Sequence, residues 1–154
     1  RRQRQMCIRD RGSGLKKGNS PKRLIIHHSA TDSPETPEDI HKFHLDNGWS
    51  GIGYHFYIRE DGTIYKGRDE NVIGAHAKNA NYNTLGICIE GNFEKEGLNE
   101  AQKNSLVKLG TYLSLKYPIK DILPHREVVD TLCPGKLFPM DNIKSSIIEE
   151  IKNM

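Results

Sequence analysis

The sequence predicts an α/β (α+β) fold, a single domain with a central mixed β-sheet flanked by helices. Leu24-Ile25-Ile26 and Leu85-Gly86-Ile87-Cys88-Ile89 are short, continuous apolar runs, the pattern of strands buried on both faces. Two later stretches repeat apolar residues at helical spacing: Leu106, Leu109, Leu113 and Tyr117 in one, Ile143, Ile147, Ile148 and Ile151 in the other. A length of 154 residues fits one domain with a real core.

Residues 1–22 read as a basic, flexible arm or linker, with Gly12, Gly14, Gly18 and Pro21 discouraging regular structure. The folded domain is expected over 23–154. Its first strand runs from Arg23 to His28, apolar and partly β-branched. Thr36-Pro37-Glu38-Asp39 then opens a helix: Thr36 is the N-cap, proline takes the first helical position, and acids fill the first turn. That helix is expected to bury Ile40, Phe43 and His44 and to stop at Asn47-Gly48. Gly53 to Ile58 and Thr63 to Lys66 are strands joined through Glu60-Asp61-Gly62, a hairpin signal. The long loop from Gly67 to Thr84 is of a length that usually binds something or moves. Leu85 to Glu90 is a central strand, and Asn99 with Gln102 resembles a capping box opening a helix to Lys116. Lys120 to Leu123 is a brief strand, and the last helix starts at about Asp141.

Charge is unevenly spread. Residues 1–23 hold nine Lys/Arg against Asp10 alone, leaving 14 basic against 19 acidic side chains beyond, so the first 23 residues carry +8 and the rest −5. Such an arm has the charge to touch nucleic acid or another anionic polymer. A solvated linker is the simpler reading, and no nucleic-acid partner is expected. No apolar run approaches the roughly 18 residues of a membrane span. No apolar h-region follows the basic start, which leaves the compartment open. The three cysteines do not make a disulfide framework: Cys7 lies in the arm, Cys88 inside a buried apolar run, and Cys133 among loop-forming residues.

Cys133 draws attention to its neighbourhood. In Leu123-Pro124-His125-Arg126-Glu127-Val128-Val129-Asp130-Thr131-Leu132-Cys133-Pro134, a histidine and a cysteine stand eight positions apart with no periodic apolar pattern between them. About a hundred residues earlier, the strand Leu24-Ile25-Ile26 ends in His27-His28. Two histidines and a thiolate leave zinc one open position, the arrangement of catalytic rather than structural sites. Neighbours in a strand point to opposite faces, so only one of His27 and His28 can join. His125-Arg126-Glu127 echoes the H-x-E of zinc deaminases, but no second cysteine follows Cys133. A blue-copper site would need an axial methionine, and Met140 is in an unrelated apolar context.

Six short motifs stand in one order: Ile26-His27-His28-Ser29-Ala30-Thr31, Gly53-Tyr54-His55-Phe56, Asp61-Gly62-Thr63, Gly67-Arg68-Asp69, Gly74-Ala75-His76-Ala77 and His125…Cys133-Pro134. In this the chain resembles the zinc-dependent N-acetylmuramoyl-L-alanine amidases of the type-2 group. These include bacteriophage lysozyme-amidases and animal peptidoglycan recognition proteins. The resemblance spans about Arg23 to Pro139 and implies a mixed sheet with helices packed on it and a groove holding one zinc ion. It further implies His27, His125 and Cys133 as zinc ligands, Tyr54 as the catalytic tyrosine, and a catalytic position at Thr131. Phage enzymes carry lysine at that last position.

The implied substrate is peptidoglycan, the implied protein a monomer acting outside the cytoplasm or released by phage. The implied reaction is hydrolysis of the amide between N-acetylmuramic acid and L-alanine. Tyr54, with a free pKa near 10, is expected to donate to the oxyanion. Thr131 can hydrogen-bond but cannot carry a proton at neutral pH. His76 and Asn81, in the long loop, are expected to contact substrate, His55 to be a structural hydrogen-bonder, His41 and His44 to pack or face solvent, and Glu127 to be a solvated carboxylate. The rival reading is a non-catalytic peptidoglycan-binding module. Such members typically lose the cysteine, which is present here.

Overall fold

The computed structural model describes residues 3–5, 16–31, 34–46 and 52–154. Its strands are β1 (Gln3–Gln5), β2 (Arg23–His28), β3 (Phe56–Ile58), β4 (Ile64–Lys66), β5 (Thr84–Ile89) and β6 (Asp121–Pro124). The helices are α1 (Pro37–Asp46), α2 (Glu100–Lys116) and α3 (Met140–Lys152). The strands form one sheet in the order β1-β4-β3-β5-β2-β6. Among the named strands of the described residues only β3 and β4 pair antiparallel; β2 runs parallel to both β5 and β6, and β5 parallel to β3. The fold is the expected single domain with a mixed sheet flanked by helices.

Side-chain alternation divides the core in two. Leu24 and Ile26, Phe56 and Ile58, and Leu85, Ile87 and Ile89 all face Leu106, Leu109 and Leu113 of α2 and Ile143 and Ile147 of α3. On the opposite face Tyr57 and Cys88 pack with Ile40 of α1, Ile52, Tyr54 and Tyr65. Because every strand residue of β5 is buried, its sequence has no polar alternation.

Local chemistry sets the element ends. At α1 the Asp39 amide donates to the Thr36 hydroxyl at 3.1 Å and the Thr36 amide to Asp39 at 3.0 Å, a reciprocal cap. At α2 the Gln102 amide donates to Asn99 at 2.8 Å, but the Gln102 side chain turns inward to the Glu90 carbonyl instead of closing the box. Asn99 also donates to the Glu60 carbonyl at 2.9 Å, tying the helix start to the hairpin. The hairpin turn places Gly62 at φ +88°, where a side chain is disfavoured.

Four expectations need correction. Lys16 to Lys22 are not a flexible arm. The Ile73 amide donates to the Lys16 carbonyl at 2.7 Å, and the buried Asn19 side chain donates to the Glu70 and Thr84 carbonyls at 3.0 and 2.9 Å. These bonds tie the segment to the loop after β4 and to the start of β5, so the folded domain begins before residue 23. Phe43 and Ile148 are exposed, at 61% and 48%, because Ile40 and His44 face the sheet from α1, and Ile143 and Ile147 from α3. Residues 53–55 precede β3 rather than belonging to it. The remaining arm glycines, Cys7 and the Asn47-Gly48 helix stop lie outside the described residues.

Asn99→Ala removes the α2 cap and its tie to the hairpin, and is expected to lower stability by about 1–2 kcal/mol. Urea denaturation of the variant beside the wild type measures it; an unchanged midpoint would show that the cap contributes nothing.

Candidate metal centre

The site lies at the carboxyl ends of parallel strands, where open α/β sheets bind ligands. Register builds it. Ile26 of β2 pairs with Pro124 of β6, so the next residues, His27 and His125, emerge side by side with ring centroids 4.3 Å apart. His27 pairs with Cys88 of β5 and faces the α1 side of the sheet, where Tyr54 lies with its ring 5.0 Å from the imidazole.

Past β6, a short 3-10 turn (His125–Glu127) starts a loop that folds back on itself. The Arg126 amide donates to the Cys133 carbonyl at 3.0 Å and the Cys133 amide to the Thr131 hydroxyl at 3.3 Å. The His28 amide donates to the Cys133 sulfur at 3.3 Å, docking the loop on the end of β2. One potential ligand atom each from His27, His125 and Cys133 then falls within 4.8 Å of the others.

These three residues open into a cavity of about 500 Å³, lined also by His28, Tyr54, Asn92, Glu94, Thr131 and Leu132. Its electrostatics favour neutral donors around a cation. Burial, reinforced by His76 and His125, holds the His27 imidazole well below its usual pKa, and burial lowers His125 too. Burial pushes the Cys133 thiol up to about 11 despite the opposing pull of the His28 amide and Arg126. A thiolate there therefore needs a positive partner. Burial likewise raises Tyr54 well above 10, with the Cys88 and Cys133 sulfurs adding to the shift, so its phenol keeps its proton.

The donor set also passes a test of fit. Both His125 ring nitrogens are buried without a hydrogen-bond partner among the described residues. Such orphaned groups are costly unless something else satisfies them. A divalent ion held by one sulfur and two imidazoles would satisfy one of these nitrogens, the one that carries the lone pair.

The other site expectations divide. His28 points to the opposite face and accepts from the Phe93 amide at 3.1 Å. His55 accepts from the Gly86 amide at 3.0 Å and hydrogen-bonds the Val72 carbonyl at 2.8 Å. His41 and His44 accept from the Ile52 and Gly53 amides, both at 3.0 Å, and Glu127 is exposed. His76 and Asn81, expected to contact substrate, do not line the cavity. His76 is buried behind His27, at 2.9 Å from its Nε2, and Asn81 accepts from the His76 and Ala77 amides at 2.8 and 2.7 Å. Loop composition showed residues fit for binding but not that their polar atoms are spent inside the loop. Asn92 and Glu94 were missed on the cavity wall; they follow β5 in a polar turn with no motif to mark them.

Comparison with known proteins places this geometry. The chain belongs to the N-acetylmuramoyl-L-alanine amidase family, whose model matches residues 17–136. It is 36% identical over 128 residues to the endolysin of Escherichia phage T7, covering 79% of this chain and 85% of that protein. The solved structure of the N-acetylmuramoyl-L-alanine amidase LysC from Clostridium intestinale URNW superposes with a TM-score of 0.91 at 40% identity, covering 96% of this chain and 98% of that one. Wild-type Drosophila PGRP-LB superposes with a TM-score of 0.77 at 31% identity, covering 98% of this chain and 92% of that one.

A divalent ion bound here raises the melting temperature, the expected gain being about 2.7 kcal/mol at a free concentration of 100 Kd. Calorimetry with and without Zn²⁺ checks this. His125→Ala is expected to lose the shift, and an equal shift in that variant would move the ion elsewhere.

Proposed function

We infer that the protein is a zinc-dependent amidase that hydrolyses the amide bond between N-acetylmuramic acid and L-alanine in peptidoglycan. The observation that carries this is the convergence of His27, His125 and Cys133 within 4.8 Å on an open cavity, in a chain of the amidase family. His27, His125 and Cys133 hold the ion. Zinc, when bound, supplies Lewis-acid polarisation of a carbonyl and a water pKa lowered toward about 7.

This chain's own residues do the rest. Amide hydrolysis passes through a tetrahedral species whose former carbonyl oxygen carries negative charge. Tyr54, held protonated by burial at the cavity wall, donates a hydrogen bond to that oxygen. The bond is worth more there than in bulk water, because Tyr54 is half-buried against Tyr57 and Cys88. Thr131 supplies a hydroxyl at the cavity rim for substrate hydrogen bonding, and does not transfer a proton. Asn92 and Glu94 also line the cavity, and the peptide stem would follow them.

Purified peptidoglycan incubated with the zinc-loaded protein is expected to release stem peptides with a free L-alanine amino group, read by mass spectrometry. A metal-free protein that binds muropeptide without cutting it would replace the amidase reading with that of a binding module. Tyr54→Phe is expected to lower kcat by about 10²–10³-fold with zinc content intact; an unchanged kcat would remove the phenol from the reaction. Cys133→Ala is expected to abolish zinc content and turnover while circular dichroism stays native, and retained turnover would take Cys133 out of the site.

A further inference from the structure

His76 is a buried imidazole that the reaction does not use, and it touches a candidate metal ligand. Its ring sits between His27 and Thr84, with Nδ1 at 2.9 Å from His27 Nε2 and Nε2 at 3.1 Å from Thr84 Oγ1. All three residues are sequestered, with exposures of 1%, 8% and 0% for His27, His76 and Thr84. The seat is built for a ring. A Cβ on Gly86 would stand 2.5 Å from His76 Cγ, so the β5 backbone has been cleared to admit it. From the other side Asn81 clamps the His76 and Ala77 amides.

The far end of this chain fixes its direction. Thr84 Oγ1 lies 2.8 Å from the Asn81 carbonyl oxygen and 3.3 Å from that of Ala80. Carbonyls only accept, and two oxygens at 2.8 Å repel without a proton between them, so the threonine hydrogen points to Asn81. Oγ1 then has only lone pairs left for His76, so His76 Nε2 carries a proton. A neutral His76 therefore has a bare Nδ1, which accepts from His27 Nε2–H. His27 is left with its lone pair on Nδ1, the one ring nitrogen still available to a metal.

We propose that His76 is a positioning residue for the metal centre, which through Thr84 locks His27 in the Nε2–H tautomer and turns its Nδ1 toward the ion. This rests on the zinc reading of the site and adds to it the group that orients one ligand. The carbonyl of Asn81, 54 residues from His27 in the sequence, thereby decides which His27 nitrogen can bind. Outer-shell acceptors of this kind are typically worth about 10- to 100-fold in metal affinity.

Chelator competition tests it. His76→Phe keeps a ring in the seat but removes both nitrogens, and is expected to weaken zinc binding by about 10- to 100-fold, with activity recovering in excess zinc. Thr84→Val should weaken binding in the same direction, and Thr84→Ser should restore it. Nitrogen-15 spectra of the zinc-free wild type are expected to report protonated Nε2 and bare Nδ1 on both His27 and His76. A folded His76→Phe protein with wild-type zinc affinity, or a His27 protonated on Nδ1, would overturn the proposal. The spectra decide it even should His76→Phe not fold. Wild-type protein that binds no zinc would instead defeat the zinc reading; zinc-binding, active wild type with an equally tight His76→Phe would defeat only the role of His76.

Discussion

The parallel alignment of β2 between β5 and β6 is the constraint on which the rest depends. Parallel strands deliver their carboxyl ends to one edge of the sheet, and here that edge collects His27, His125 and the loop carrying Cys133. The register is not free to slip. A shift of one residue would turn His27 toward α2 and α3 and bring Ile26 into the cavity, exchanging an apolar core residue for an imidazole on each face. Burying Leu24, Ile26, Leu85, Ile87 and Ile89 on one side is thus the same event as aiming His27 at the other.

A second constraint acts on the polar groups this edge buries. The seven histidines divide by what their nitrogens meet. His28, His41, His44 and His55 each accept a backbone amide, the first three from the loop residues Phe93, Ile52 and Gly53 and His55 from Gly86 of β5. His76 meets His27 and Thr84. Only His125 has both nitrogens without a protein partner among the described residues, and it faces the sulfur of Cys133 and the ring of His27. Buried groups are hydrogen-bonded wherever the fold can arrange it, and the unpartnered His125 ring, unlike the unpartnered Asn19 Oδ1, stands beside two further potential metal ligands. Burial acts in the same direction on charge, keeping the imidazoles neutral and the Tyr54 phenol protonated. The site is accordingly an acceptor-rich pocket with one strong donor at its wall.

By itself, the sequence determined the elements whose causes are local. Apolar runs set β2 and β5, Thr36-Pro37 and Asn99 set two helix starts, and Asp61-Gly62 set the hairpin. It also identified the family, because six motifs stand in one order, and with them the three residues that meet at the candidate metal centre. Tertiary structure alone decided matters that depend on which atoms lie opposite one another. Lys16 to Lys22 carry turn-forming residues and positive charge, yet the carbonyls of Glu70 and Thr84 capture Asn19 and hold the segment down. Phe43 sits at the helical spacing of a core residue, but α1 meets the sheet through Ile40 and His44 and leaves it in solvent. His76 and Asn81 have the chemistry of ligand contacts and are turned inward, since a loop packed against β5 must satisfy its own amides and the free nitrogen of His27. Composition states what a side chain is able to bond; only the fold states which partner reaches it first.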